Sequence, residues 1–85
     1  MLGTYYDLAV ITYSETADAL YVQLQEAEVT KVTPVDDSRI VDYAADGSVV
    51  GVEFLTASAG IDPRDIPERT RLEEMIKNLR FSIAV

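Results

Sequence analysis

Carboxylates are the only side chains of this 85-residue sequence that are both reactive and plentiful. There are 15 Asp and Glu residues, whereas His and Cys are absent. A pair of carboxylates can act as general acid and general base when their surroundings push their pKa values apart, and carboxylate oxygens can bind Ca²⁺ or Mg²⁺. The absence of His and Cys removes the commonest general base, the usual zinc ligands and any disulfide. We therefore expect no cofactor and no enzyme activity, and a hydrolase dependent on carboxylates and a divalent metal is the catalytic alternative.

Four carboxylates are the candidate partner-binding residues, namely Asp36, Asp37, Asp42 and Glu53. Asp36 and Asp37 are adjacent, and adjacent side chains of an extended chain point to opposite faces, so they do not readily share a ligand. Asp42 lies in the middle of a predicted strand, where Asp is disfavoured, and Glu53 lies on the same face of the opposing strand. Burial of both would be costly, so we expect this face to contact water or a cationic group of a partner.

The other motifs carry little chemistry. Asp46-Gly47 lacks the acidic spacing of a calcium loop, and neither GxGxxG nor GxxxxGK occurs. The serines have no His to activate them. The five tyrosines could stack on nucleic-acid bases, but no basic residues are interleaved with them, so we expect them to pack in a core or an interface.

The net charge of −8 is unevenly distributed. Residues 1–60 hold ten acidic side chains against Lys31 and Arg39, whereas residues 61–85 hold five side chains of each sign. The first part of the chain should repel nucleic acid, because phosphate binding needs clustered Lys and Arg. It should attract a basic protein, mainly through a faster association rate. The alternative is that the charge only keeps a small protein soluble.

Alternating apolar residues predict an α+β fold, with an antiparallel sheet of four to five strands followed by one amphipathic helix. The predicted strands are residues 8–13, 19–24, 29–35, 39–43 and 49–55. Pro34 lacks the N–H that a ladder requires, so the third strand should be an edge strand or should end before Pro34.

The clearest element is a hairpin built from residues 39–43 and 49–55. A four-residue loop over 44–47 places Gly47 in the left-handed region, and Val41 then faces Val50. Gly51 in a strand interior indicates the close approach of another element. The apolar face holds Val41, Tyr43, Val50, Val52 and Phe54, and the other face holds Ile40, Asp42, Gly51 and Glu53.

The last third of the chain is predicted to be a linker over 57–67, a helix over 68–80 and an apolar tail. Pro67 suits the first turn of a helix. The helix buries the stripe of Leu72, Met75, Ile76 and Leu79 against the sheet. The tail is expected to be a short strand or an arm that reaches a second subunit. One helix covers only one face of the sheet, so a homodimer through a sheet face or edge is expected.

Two stretches carry a family resemblance. The first is Ile11 to Leu24, with Tyr13, Asp18, Leu20 and Tyr21, and the second is the hairpin Ile40 to Leu55 followed by Ala57-Ser58. Together, over residues 10–58, they resemble the bacterial and archaeal family called domain of unknown function 2283, although Ser14 stands where that family usually has Asp. The resemblance implies no catalytic residues, and it implies an antitoxin-like role because some members are thought to be encoded beside small toxin-like proteins.

The sequence thus predicts one domain over residues 1–85 and three functions in order of preference. The first is a small acidic module that binds a basic protein partner, antitoxin-like in its specific form. The second is a self-associating, homodimeric structural domain. The third is the hydrolase. The apolar runs are short and the N-terminus lacks the pattern of a signal peptide, so we expect a cytoplasmic protein with no membrane or direct nucleic-acid partner.

Overall fold

Five segments rich in β-branched and aromatic residues form one antiparallel sheet. The computed structural model of the chain describes residues 11–84. The strands are β1 (Ile11–Ser14), β2 (Ala19–Gln23), β3 (Lys31–Asp36), β4 (Arg39–Tyr43) and β5 (Val49–Leu55). Their order in the sheet is β1-β2-β5-β4-β3, so a hairpin and a three-stranded meander are joined through β2 and β5. The predicted α+β fold is confirmed.

The strand boundaries differ from the predicted ones mainly at β1 and β3. Residues 8–10 of the first predicted strand lie outside the described residues. β3 is an edge strand, as predicted, but it starts at Lys31 and runs through Pro34 to Asp36. The pairing between β3 and β4 shifts register between Pro34 and Asp36. An edge strand tolerates Pro at this position because only one of its two edges forms backbone hydrogen bonds with a neighbouring strand.

The predicted register of the central hairpin is wrong. Val41 pairs with Val52 and not with Val50, because the register shifts where Tyr43 pairs with Val49 and Asp42 pairs with Gly51. Val50 is therefore the extra residue of a bulge, and a bulge leaves one residue of its strand without an opposite partner. Its carbonyl accepts hydrogen bonds from the N–H groups of residues 24 and 25, at 2.7 Å and 3.3 Å. The bulge puts Val49 in the core cluster in place of Val50.

The core lies on one face of the sheet. That face contributes Leu20, Val22, Leu24, Val41, Val49, Val52 and Phe54. The segment after β5 covers this face, with the short 3₁₀-helix η1 (Ala57–Ala59) and the helix α1 (Arg69–Ile76). It contributes Ala57, Ile61, Ile66, Leu72 and Ile76, all buried. The predicted apolar stripe of the helix is confirmed, since Met75 and Leu79 also pack against this cluster.

The helix is shorter than the predicted span of 68–80. Glu68 has φ of 66°, so the chain enters the helix from a left-handed residue, and Pro67 precedes the helix. After Ile76 the chain turns, and the Leu79 N–H donates to the Ile76 carbonyl at 3.0 Å. This turn lets the tail return to its own linker, where Ile83 forms a parallel bridge with Ile61. Of the two alternatives expected for the tail, the structure thus shows strand-like pairing within the same chain, as far as residue 84.

No helix within residues 11–84 combines the length and the apolar character needed to cross a membrane.

Candidate functional site

The face of the sheet opposite the helix is the candidate site, and we call it the open face. It is formed by Tyr21 and Gln23 of β2, Asp42 of β4, and Gly51 and Glu53 of β5. Alternation along each strand turns these residues away from the core. On the described chain, the buried apolar residues of α1 and of the linker, Ala57, Ile61, Ile66, Leu72 and Ile76, join the core of the other face.

Tyr21 crosses the middle of the open face. Its ring lies over Gly51, where a Cβ atom would come within 2.2 Å of the tyrosine Oη and 2.4 Å of Cζ. The Tyr21 hydroxyl donates to Asp42 Oδ2 at 3.1 Å. The side chain thus leaves β2, passes over β5 and reaches β4. The close approach that Gly51 predicts is confirmed, because only a residue without a side chain leaves room for this ring.

Asp42 and Glu53 flank this tyrosine. Glu53 stands opposite Tyr21 on β2 and opposite Ile40 on β4, whereas Asp42 stands opposite Gly51, so the two carboxylates occupy diagonal positions across β4 and β5. Both side chains are half-buried. Burial raises the pKa of Tyr21 to about 12, together with its hydrogen bond to Asp42 and the negative charges of Asp42 and Glu53. At neutral pH Tyr21 is therefore a neutral hydroxyl donor.

This arrangement can hold a cation. An aromatic ring attracts an ammonium or guanidinium group through its face, and carboxylates accept charge-assisted hydrogen bonds from the same groups. Asp42 uses one oxygen for Tyr21 and so has a fixed orientation. The open face therefore presents two carboxylates around a tyrosine that is already held in place.

The other two candidate residues lie elsewhere. Asp36 ends β3 and faces Arg39, which donates to its Oδ2 from Nε at 2.9 Å and from Nη2 at 2.7 Å. Asp37 is exposed in the turn between β3 and β4. The structure thus brings Asp42 and Glu53 together and separates both from Asp36 and Asp37.

The ion pair of Asp36 belongs to a tie between the sheet and the linker. The Arg39 guanidinium also donates to the backbone carbonyls of Asp62 at 3.1 Å and Arg64 at 2.6 Å. The hydrogen bonds from Arg39 hold the pKa of Asp36 below its usual value. The carboxylate of Asp36 therefore positions the arginine that anchors the linker over the core.

Asp18 carries part of the family resemblance but is not among the four candidate partner-binding residues. Its backbone is left-handed, with φ of 51°, in the turn between β1 and β2. Its carboxylate accepts from the Tyr13 hydroxyl at 2.7 Å, from the Ser58 N–H at 2.9 Å and from the Ser58 hydroxyl at 2.6 Å. Hydrogen bonds from Ser58 and Tyr13 lower the pKa of Asp18. We call this group the Asp18 clasp; no local pattern indicates it, because Asp18 and Ser58 are 40 residues apart.

Metal-ligand geometry is absent from the described chain: within residues 11–84 no group of three or more acidic side chains is placed to hold a metal ion.

The fold and the open face define a class of small α+β protein, with a single antiparallel sheet covered on one face. Residues 10–58 match the model of the family described as "Protein of unknown function (DUF2283)". The match spans more than half of the chain, so the chain belongs to this family. It contains the five strands, the open face and the Asp18 clasp, while α1 lies outside it. No curated protein and no solved structure matches the chain significantly.

Proposed function

We propose that this protein is a small acidic protein-binding module whose open face takes a basic side chain of a partner. The observation that carries the proposal is the arrangement of Tyr21 between Asp42 and Glu53 on a sheet face that the helix does not cover. A neutralising, antitoxin-like role toward a small basic protein is the specific form of this function.

The charge distribution supports the choice of a basic partner. The strands and their turns hold nearly all of the excess negative charge, which belongs to residues 1–60. Such a field raises the association rate of a cationic partner, and the effect weakens as salt screens it. The residues at the centre of the open face then provide the short-range contacts.

The rigidity of the tyrosine is a second support. A side chain that is ordered before binding loses less conformational freedom when the partner docks. Tyr21 is held by its contact with Gly51 and by the bond to Asp42. Tyr is also among the residues that most often contribute strongly to the binding energy of interfaces.

The test compares two variants of equal net charge. Asp42→Asn/Glu53→Gln removes two carboxylates of the open face, and Glu68→Gln/Glu74→Gln removes two exposed carboxylates on the helix side. Binding of a short synthetic peptide with alternating Arg and apolar residues is measured by calorimetry at low salt. We expect the first variant to weaken binding at least about tenfold, the effect of one lost charge-assisted contact, and the second to change it less than about twofold.

The same pair of variants identifies a natural partner. Each is immobilised beside the wild-type protein and exposed at low salt to lysate of the source organism. A basic protein that the helix-side variant retains and the open-face variant loses would support the proposal. If both variants weakened partner binding equally, the net charge alone would explain the effect, and this would contradict a role for the open face.

A homodimer is the second candidate, and the exposed edge strand β3 favours it. Val32 is 59% exposed, and Val29 and Val35 are also exposed near the same edge. Exposed strand edges can pair with another chain, although Pro34 and the register shift beside it interrupt this edge. Sedimentation at increasing protein concentration tests this candidate. A dimer that survives high salt and dissociates in Val32→Lys would support it, and a monomer throughout would eliminate it.

A further inference from the structure

A groove lies at the end of the sheet where β3 begins, on the side of the sheet opposite the open face. It has a volume of about 390 Å³ and is lined by Thr30, Lys31, Thr33, Tyr43 and the hairpin loop 44–47. Its size falls in the range of small-molecule sites. Because it lies across the sheet from Asp42 and Glu53, it is independent of the function proposed above.

The charge of this groove is opposite to that of the chain. None of the described residues that line it is acidic, and Lys31 is one of only two basic residues in the first 60 positions. Asp42 precedes Tyr43 but points to the open face and bonds to Tyr21. Asp46 lies in the loop, but its Oδ1 accepts from the N–H and hydroxyl of Ser48, at 2.9 Å and 2.6 Å. Both neighbouring carboxylates are thus directed to other partners.

The polar groups of the groove are suited to an acceptor. Hydroxyl groups from two threonines and one tyrosine accompany the ammonium of Lys31, and of these the Thr30 hydroxyl already donates to the Tyr43 carbonyl at 3.4 Å. The Thr33 Oγ1 atom is buried and has no hydrogen-bond partner among the described residues. A buried hydroxyl without a partner is unfavourable, and rotation about the Cα–Cβ bond of Thr33 can turn it toward an acceptor in the groove.

We propose that this groove binds a small molecule through an oxyanion group, a carboxylate or a phosphate. Lys31 forms the ion pair, and the hydroxyls of Thr33 and Tyr43 donate to the remaining oxygens. The small side chains of the hairpin loop, Ala44 and Ala45, leave room for an apolar part of the molecule beside its charged group.

The test uses inorganic phosphate and acetate as probes in two separate titrations of the full chain. Backbone amide shifts are followed by NMR, and sodium chloride at matched ionic strength serves as the reference. We expect saturable shifts at Thr30, Lys31 and Gly47 with at least one probe. Tighter binding of phosphate would indicate a phosphate-bearing ligand, and tighter binding of acetate a carboxylate ligand.

Three variants make the assignment specific. Lys31→Gln should raise the Kd for the probe at least about tenfold, whereas Lys77→Gln, which removes the same charge at the end of the helix, should change it less than about twofold. Thr33→Val should raise the Kd about threefold without lowering the Tm, because it replaces a buried unpaired hydroxyl by a group of the same shape. Shifts that do not saturate, that chloride reproduces, or that Lys31→Gln leaves unchanged would overturn the proposal.

Discussion

Replacement of Gly51 by Ala should destabilise the protein mainly by displacing the ring of Tyr21. The new methyl group would lie 2.2 Å from the Tyr21 Oη and 2.4 Å from Cζ, so the ring must leave its place. Its departure breaks the hydrogen bond to Asp42, which contributes about 1 kcal/mol. It also uncovers about 40–60 Å² of apolar surface, whose burial contributes about 1–1.5 kcal/mol more.

Two further contributions to the free energy oppose each other. The methyl group would also lie 2.9 Å from the backbone oxygen of Val22, and the backbone shift that relieves this contact costs about 1–3 kcal/mol. Alanine is in turn favoured over glycine in a strand by about 0.5–1 kcal/mol. Gly51→Ala should therefore lower the free energy of unfolding by about 3 kcal/mol, which lowers the Tm of a domain of this size by about 15 °C.

A double-mutant cycle separates the ring from the backbone contact. In the Tyr21→Ala background only the backbone contact and the preference for alanine remain, so Gly51→Ala should cost about 1 kcal/mol and the coupling energy should be about 2 kcal/mol. Urea unfolding followed by circular dichroism gives all four stabilities. Tyr21→Phe is the control for the hydroxyl, because its ring still occupies the space over Gly51. If Gly51→Ala lowered the free energy of unfolding equally in both backgrounds, displacement of the Tyr21 ring would be refuted as the cause.

Titration of the tyrosine gives an independent measure of the same displacement. The pKa of Tyr21 is about 12 because the ring is partly buried and close to Asp42 and Glu53. In Gly51→Ala the ring loses that environment, so its pKa should fall toward the ordinary value of 10.0. Ultraviolet absorbance of tyrosinate, compared between wild type and Tyr21→Phe, identifies this residue. An unchanged titration in Gly51→Ala would show that the ring has stayed in place.

Three further changes test other parts of the fold. Arg39→Lys should lower the free energy of unfolding by about 1–3 kcal/mol, because lysine cannot bond to Asp36 and two linker carbonyls at once. Urea unfolding measures this change. No loss of stability would show that the bonds from Arg39 to the linker are dispensable. The pKa values of Asp18 and Asp36 are lowered, so these carboxylates stabilise the fold above about pH 4 and lose that effect as the pH falls through the lowered values. The Tm of Asp18→Asn should accordingly fall less steeply with acid than that of wild type, and parallel curves would contradict this. Glu68→Gly should raise the free energy of unfolding by up to about 1 kcal/mol, and with it the Tm, because glycine adopts the left-handed backbone before α1 without strain. A lower Tm would mean that the Glu68 side chain stabilises the fold.

The elements of this fold follow from local pattern more directly than their pairing does. Alternation indicated the five strands, and the stripe of Leu72 and Ile76 indicated the buried face of the helix, because both patterns depend on neighbours in sequence. The register of the central hairpin did not follow. At the bulge, the Val50 carbonyl accepts a hydrogen bond from the N–H of Leu24, just after β2, and no pattern within the hairpin indicates this contact.

The candidate site was predictable in the same partial way. Asp42 and Glu53 were placed on one face by alternation alone, and Gly51 indicated a close contact. The tyrosine that makes this contact comes from β2, 21 residues before Asp42, so its position depends on the pairing of β2 with β5. Asp36 was a candidate partner-binding residue together with Asp42, but Arg39 engages it in the folded chain.

The Asp18 clasp has a consequence for the order in which the protein assembles. The β1–β2 hairpin and the β3–β4–β5 meander each form from residues close in sequence, whereas β2 must find β5 across the whole length of the meander. Such non-local pairing carries the largest entropic cost of chain closure and sets the speed of folding. Asp18 and Ser58 lie at one end of the pairing between β2 and β5, so their hydrogen bonds form only after the hairpin and the meander have paired. We therefore expect the clasp to govern how long the native state lasts rather than how quickly it is reached.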